Sequence, residues 1–194
     1  MKKFLSGIRP MIMAGILYTI IAAIVVISAW ATELMVGNMS LTISEYIGLR
    51  QWTAFVYFLF VIVIDLLVFY YVAMTNIPTH RKFLYCYIFT CIFGCALCPW
   101  NPEWSEASTA VHNVCANSMM VAAAVAFISS VVKPADKRHR YFTIGALVYA
   151  LSFILLYGII GWQPYLDTLF IWENAFIYIL IAELCLERPR IVEN

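Results

Sequence analysis

Six apolar runs dominate the sequence, at residues 10–30, 51–74, 83–98, 109–132, 141–160 and 165–186. Several approach the roughly 20 residues with which a helix crosses the hydrocarbon core of a bilayer, and none alternates like a lipid-facing barrel strand. Hydrophobic residues make up 64% of the 194 positions and charged residues only 12%, against about 25% charged in an ordinary soluble domain. The sequence predicts an all-α polytopic membrane helix bundle with six transmembrane helices, in a single domain covering residues 1–194.

The basic residues segregate on this six-span map. Eleven of the twelve Lys and Arg residues fall on one side, namely Lys2, Lys3, Arg9, Arg81, Lys82, Lys133, Lys137, Arg138, Arg140, Arg188 and Arg190. Because short cytoplasmic loops carry the excess of Lys and Arg, both termini are predicted to be cytoplasmic. The one remaining basic residue is Arg50. It ends the segment 31–50, which is expected to form a loop at the outer interface. Short connections favour a bacterial inner membrane over a eukaryotic endomembrane, and the net charge of +1 indicates no nucleic-acid partner.

Four ionisable residues lie inside the predicted spans, namely Asp65, His112, Glu173 and Glu183. A charge there costs about 2.5–3.5 kcal/mol on insertion scales, so each is a candidate for function. Asp65 lies near the predicted midplane, where it is either a protonated carboxyl bonded to a neighbouring helix or part of a proton or cation pathway. Glu183 is expected to reach the inner surface and pair with Arg188 in a structural role.

His112 and Glu173 lie at similar predicted depths below the outer face. As a pair they can serve as general base and orienting acid, because a carboxylate fixes the imidazole tautomer. The alternative is an interhelical hydrogen bond that holds two helices in register, worth about 0.6 kcal/mol. The predicted ligand-binding pocket also takes in neighbouring amides and two acids of the outer loop, namely Asn113, Asn117, Asn174, Glu103 and Glu106. Ser108 or Thr109 is expected to cap the helix that carries His112.

The histidine and cysteine patterns exclude several cofactor chemistries. His80 and His139 are assigned to basic cytoplasmic turns, so a bis-histidine haem and a histidine-rich zinc site are not expected. Phosphate-binding glycine loops and a nucleophile elbow are absent from the sequence. The cysteines are interpreted as small apolar packing residues, with a Cys98–Cys115 bridge as the alternative. No metal and no cofactor are predicted.

Three short segments resemble the Frag/DRAM/Sfk group of six-span membrane proteins and their uncharacterised bacterial relatives. They are Ile43-Ser44-Glu45-Tyr46-Ile47-Gly48, the proline-containing outer loop leading into Val111-His112-Asn113, and Trp172-Glu173-Asn174. The family pattern often has Glu followed by Trp on the last span, whereas here Trp172 precedes Glu173. The resemblance implies a compact bundle in membranes where lipids or lipid anchors are handled.

Three functional hypotheses follow. The first is a protein that binds or organises lipid through the outer pocket around His112 and Glu173, with membrane lipids and other membrane proteins as candidate partners. The second is an intramembrane acyl transferase or hydrolase that uses the same two residues. The third is a proton-coupled carrier built on Asp65, Glu173 and Glu183.

Overall fold

The computed structural model of the protein describes residues 2–30, 42–48, 50–101, 103–161 and 168–187. Its helices are α1 (Lys2–Trp30), α2 (Ile43–Gly48), α3 (Gln51–Met74), α4 (Thr79–Leu97), α5 (Glu106–Val132), α6 (Lys137–Phe153), which continues as a π-helix (Ile154–Ile160), and α7 (Leu169–Leu186). Within these ranges the chain forms no β-strand. The prediction of an all-α fold is confirmed.

Five helices contain segments long and apolar enough to cross a membrane, at Gly7–Ser28, Gln51–Met74, Glu106–Val132, Lys137–Leu156 and Leu169–Leu186. They match five of the six predicted spans and are typical of an integral membrane protein. The third predicted span corresponds to α4, a helix of 19 residues. Its first turn contains His80, Arg81 and Lys82, and α4 is not among the five candidate membrane spans.

The six longer helices form a closed ring. Contacts run from α1 to α3, α4, α5, α6 and α7 in that order, and α7 returns to α1. The short helix α2 packs on α1, α3 and α7 at one end of the ring. We call this the loop end, because residues 98–101 and 103–105 also lie there, and we call the opposite end, with the connections at residues 75–78 and 133–136, the basic end.

Apolar side chains cover both the inside and the outside of the ring. Large side chains such as Phe89, Phe127 and Phe176 are fully buried, whereas Phe55 and Leu66 are more than half exposed. Between α5 and α6, both helices bury alanines, which let helix backbones approach closely in a membrane. Such an exposed apolar surface suits contact with lipid chains, since a soluble protein rarely shows a large one.

Several helix boundaries differ from the predictions. Helix α4 begins at Thr79 rather than at residue 83, and α6 begins at Lys137 rather than at residue 141. Two supposed basic turns are therefore partly first helical turns. The expected cap of α5 at Ser108 or Thr109 is wrong, because the helix starts at Glu106 and the Ser105 side chain accepts a hydrogen bond of 3.2 Å from the Ser108 amide. The supposed outer loop also contains a helix, α2.

Candidate functional site

A cavity of about 480 Å³ lies at the loop end, beneath α2 and inside the ring. Its polar lining consists of Thr42, Ser44, Glu45, Tyr57, His112, Asn113, Asn117 and Glu173. Apolar side chains complete it, among them Ile92, Met119, Met120, Phe153, Phe176 and Ile177. The cavity therefore combines hydrogen-bonding groups with an apolar surface, which is the usual composition of a small-molecule site.

Helix α2 is held over the cavity by local and long-range hydrogen bonds. Thr42 and Glu45 form a capping box, in which the Glu45 amide donates to the Thr42 hydroxyl at 3.2 Å and the Thr42 amide donates to the Glu45 carboxylate. This pairing follows from the Thr-x-x-Glu spacing. At the other end of α2, the Asn101 side chain donates to the Gly48 carbonyl at 2.8 Å. A Cβ atom at Gly48 would collide with the Trp100 carbonyl, so only glycine permits this approach.

Glu173 connects α7 to the start of α2. Its Oε2 accepts a hydrogen bond of 2.8 Å from the Ile43 amide, one of the first amides of a helix, which lack partners within the helix itself. The side chain is half-buried and lines the cavity. Within the described part of the chain, Oε1 of Glu173 has no hydrogen-bond partner.

His112 is fixed by the last turn of α4. Its Nδ1 bonds the carbonyl oxygens of Cys98 at 2.9 Å and Cys95 at 3.2 Å. A carbonyl oxygen only accepts, so Nδ1 carries the proton and a neutral ring keeps a free lone pair on Nε2. The residue is only 5% exposed, and in the described ranges nothing bonds Nε2. His112 therefore presents a hydrogen-bond acceptor to the cavity that it lines.

His112 and Glu173 line the same cavity without pairing directly. Helices α5 and α7 are not neighbours in the ring, and no hydrogen bond or ion pair between the two residues occurs in the described structure. The predicted orientation of His112 by Glu173 is replaced by orientation from the backbone carbonyls of Cys95 and Cys98. A molecule in the cavity could contact both side chains at once.

The other predicted pocket residues divide into two groups. Asn113 and Asn117 line the cavity. Asn174 does not, because it accepts from the Tyr18 hydroxyl at 2.8 Å and donates to the Phe170 carbonyl at 2.7 Å, which connects α7 to α1. Glu103 and Glu106 are exposed and also lie outside the cavity lining.

A second polar cluster, which the sequence did not predict, is buried at the basic end. His139 and Glu183 are both fully buried, with Nε2 and Oε1 2.8 Å apart. Because the Ala135 amide donates to His139 Nδ1 at 2.9 Å, the proton lies on Nε2 and is donated to Glu183. The Thr143 hydroxyl also donates to the Glu183 carboxylate at 2.8 Å. The assignment of His139 to an exposed turn is therefore wrong.

The predicted pairing of Glu183 with Arg188 is replaced by these bonds to His139 and Thr143, and Arg188 lies outside the described residues. The sequence does contain a signal for this cluster. His139 and Thr143 are spaced i, i+4, as are Glu183 and Glu187. Residues at this spacing lie on one face of a helix, so two polar faces were available to meet inside the bundle.

Arg81 also belongs to this buried cluster, in which it donates hydrogen bonds to three groups. Its guanidinium donates to Glu187 at 2.7 Å, to the Ser130 hydroxyl at 2.9 Å and to the Lys133 carbonyl at 3.1 Å. Burial raises the pKa of Glu187, and the positive charge of Arg81 opposes that rise. Arg81 is only 3% exposed and lies in the first turn of α4, so its assignment to a hydrophilic turn is wrong.

Asp65 is buried in the middle of α3, with 4% of its surface exposed. Its Oδ1 has no hydrogen-bond partner among the described residues. One of the two predicted explanations was a protonated carboxyl bonded to a neighbouring helix. Oδ1 of Asp65 makes no such bond in the described structure. Asp65 is absent from the cavity lining.

All six cysteines are free thiols, including Cys98 and Cys115. In the described ranges, no group of three or more His, Cys, Asp or Glu residues could hold a metal ion. Cys115 is close to α4, where its Sγ would lie 2.7 Å from a Cβ atom at Gly94. Cys115 thus packs against α4.

The described structure is all-helical. Its five long apolar helices are those of an integral membrane protein. No family model matches its sequence, and neither a curated protein nor a solved structure matches the chain. The three segments that carry the family resemblance nevertheless converge in space. Ile43 to Glu45, His112 with Asn113, and Glu173 all line the cavity.

Proposed function

We propose that the protein is a six-span integral membrane protein with cytoplasmic termini, which binds or organises lipid through the cavity at the loop end. The six-helix ring supports this topology, because α4 is a full member of it, between α3 and α5. The segregation of Lys and Arg supports the orientation and makes the loop end the outer end. A bacterial inner membrane is the proposed location.

The cavity itself is the observation that carries the lipid proposal. Polar groups gather around α2, His112 and Glu173, while Met120, Phe176 and Ile177 provide apolar surface in the same space. A lipid has the matching combination of a polar head and an apolar chain. The helices around the cavity also expose apolar side chains outwards, where lipid would surround them.

Filling the cavity tests this proposal. Ala116 lines the cavity and Ala110, on the same helix, is exposed and does not. Ala116→Phe should reduce the lipid that remains bound to the purified full chain in native mass spectrometry, whereas Ala110→Phe should leave it unchanged. Equal lipid retention by the wild type and both variants would contradict the proposal.

A lipid-modifying enzyme, an acyl transferase or hydrolase, is the second candidate. The geometry of His112 supports it, because backbone carbonyls hold the proton on Nδ1 and leave Nε2 as a base. On this alternative, His112→Ala and Glu173→Gln should change the membrane lipid profile of cells that produce the protein. Folded variants that leave that profile and any detected turnover unchanged would count against catalysis.

We retain the relation to the Frag/DRAM/Sfk group as a proposal that rests on the same cavity. The segments behind the resemblance supply much of its polar lining. The carrier hypothesis has less support, because Glu183 is already bonded to His139 and Thr143 and neither Asp65 nor Glu183 lines the cavity.

A further inference from the structure

We infer that the cavity selects lipid head groups that donate hydrogen bonds and carry no net negative charge, which means uncharged hydroxyl-bearing heads or zwitterionic ammonium-bearing heads. This inference rests on the proposed function, since it names the class of lipid that the cavity would take. Three observations carry it: the acceptors that face the cavity, the cations missing from its lining, and the occupied amides of α2.

The strongest polar groups in the lining are acceptors. His112 is 5% exposed, its Nδ1 proton is used by the carbonyls of α4, and Nε2 is left with a lone pair. Glu173 uses Oε2 for the Ile43 amide and keeps Oε1. Glu45 adds a second carboxylate. Open acceptors on His112 and Glu173 favour a ligand that provides hydrogen-bond donors.

In the described part of the chain, the cavity lining places no Lys or Arg beside these carboxyl groups, and Arg50, just after α2, lies outside the lining. Among the described residues that line the cavity there is no Lys and no Arg. Residues 31–41, 49, 102 and 162–167, which lie outside the described ranges, contain none either. Arg81 belongs to the opposite end of the bundle, where Glu187 already pairs with it. Heads with a net negative charge are normally recognised by Arg or Lys side chains, and the lining offers neither.

Backbone amides do not replace the missing cations. The first amides of α2 are the obvious anion donors near the cavity. The Thr42 amide already donates to Glu45 and the Ile43 amide to Glu173. The protein's own carboxyl groups therefore occupy the two amides that an anionic head would need.

Three lipids with the same dioleoyl chains distinguish the possible heads. They are a monoglucosyl diacylglycerol, phosphatidylethanolamine and the anionic phosphatidylglycerol. With each lipid offered at equal concentration to the full chain in detergent micelles, native mass spectrometry should show the glucosyl lipid or phosphatidylethanolamine retained about tenfold over phosphatidylglycerol, a difference of roughly 1.4 kcal/mol. Equal or stronger retention of phosphatidylglycerol would overturn the inference.

A charge added to the cavity should reverse the preference. Asn117 lines the cavity, is exposed and makes no hydrogen bond in the described structure, so Asn117→Lys disturbs no described contact. This variant should retain at least as much phosphatidylglycerol as the other lipids. Ala107→Lys, which adds the same charge to the same helix outside the lining, should keep the wild-type preference. An unchanged preference in Asn117→Lys contradicts the inference.

The Ala116→Phe variant distinguishes a wrong head-group preference from a wrong lipid site. If Ala116→Phe retains as much of each lipid as the wild type does, the cavity is not the lipid site and both ideas fail. If Ala116→Phe abolishes retention but phosphatidylglycerol binds the wild type as well as the other lipids do, the cavity binds lipid and only the head-group preference is wrong.

Discussion

His139 donates from Nε2 to Oε1 of Glu183 across 2.8 Å, and both residues are completely buried. The bond joins the first turn of α6 to the last turn of α7, the helix that closes the ring onto α1. Together with the Arg81–Glu187 pair it gives the basic end a connected polar interior. The cavity lies at the other end of the ring, where Nε2 of His112 and Oε1 of Glu173 have no hydrogen-bond partner in the described structure.

Removing the Glu183 carboxylate should destabilise the bundle. In Glu183→Leu, the Nε2 proton of buried His139 loses its acceptor, and an unsatisfied buried donor costs about 1–3 kcal/mol. Reversible unfolding in mixed micelles should show a loss of this size in the free energy of unfolding. Glu106→Leu, at an exposed glutamate, should change it by less than about 0.5 kcal/mol. Equal losses in the two variants would argue against the importance of the His139–Glu183 bond.

Arg81 should be more sensitive to substitution than Lys82, its neighbour in the chain. Arg81→Met leaves Glu187 buried without its cation, which typically costs about 3–5 kcal/mol. Lys82 makes one exposed bond of 3.2 Å to the Ala73 carbonyl, so Lys82→Met should have a small effect on the same unfolding measurement.

The double variant Arg81→Met with Glu187→Leu provides the control for the Arg81 prediction. It removes both charges and should recover much of the lost stability, because an apolar pair can replace a buried ion pair. A double variant no more stable than Arg81→Met alone would show that the loss does not come from the unpaired charge of Glu187.

Ser105 should stabilise α5 through its side-chain cap. Ser105→Ala removes the acceptor for the Ser108 amide and should lower the free energy of unfolding by about 1 kcal/mol. Thr109→Ala provides the comparison, because the Thr109 hydroxyl is buried without a hydrogen-bond partner in the described structure. A larger loss in Thr109→Ala than in Ser105→Ala would contradict this assignment of the cap.

Membrane sidedness distinguishes six spans from five. Single cysteines at Asn76, Glu103 and Lys137, all exposed, introduced into a chain whose six native cysteines are replaced by Ala, can be labelled in intact cells with a maleimide that does not cross the membrane. The six-span proposal predicts labelling at Glu103→Cys only. If α4 does not cross the membrane, Asn76→Cys and Glu103→Cys lie on the same side and label alike.

Hydropathy and charge predict the class of this fold well but not its polar interior. Long apolar runs leave few alternatives to membrane helices, and five of them recur in the structure. The buried polar cluster was missed because Arg138, His139 and Arg140 read as one solvated turn. As a helical turn they separate, with His139 buried and its two neighbours exposed. A helix that begins a few residues earlier thus changes which side chain enters the bundle.

The cavity could be predicted only in part. His112 and Glu173 stood out because ionisable residues in apolar runs need an explanation, and both do line the cavity. Their bonding partners are the carbonyls of Cys95 and Cys98 and the amide of Ile43. Backbone groups of this kind are present at every residue, so no sequence pattern marks them. The placement of α2 over the cavity depends on the same backbone contacts.

An experimental structure in a lipid bilayer tests the lipid proposal most directly. The measurement is the density in the cavity between α2, α5 and α7, for the full chain reconstituted with the glucosyl lipid and phosphatidylethanolamine. The proposal predicts elongated density that begins within hydrogen-bonding distance of His112 Nε2 and Glu173 and continues along Met120 and Ile177. An empty cavity, or one closed by side chains with His112 and Glu173 separately facing the bilayer, would contradict it.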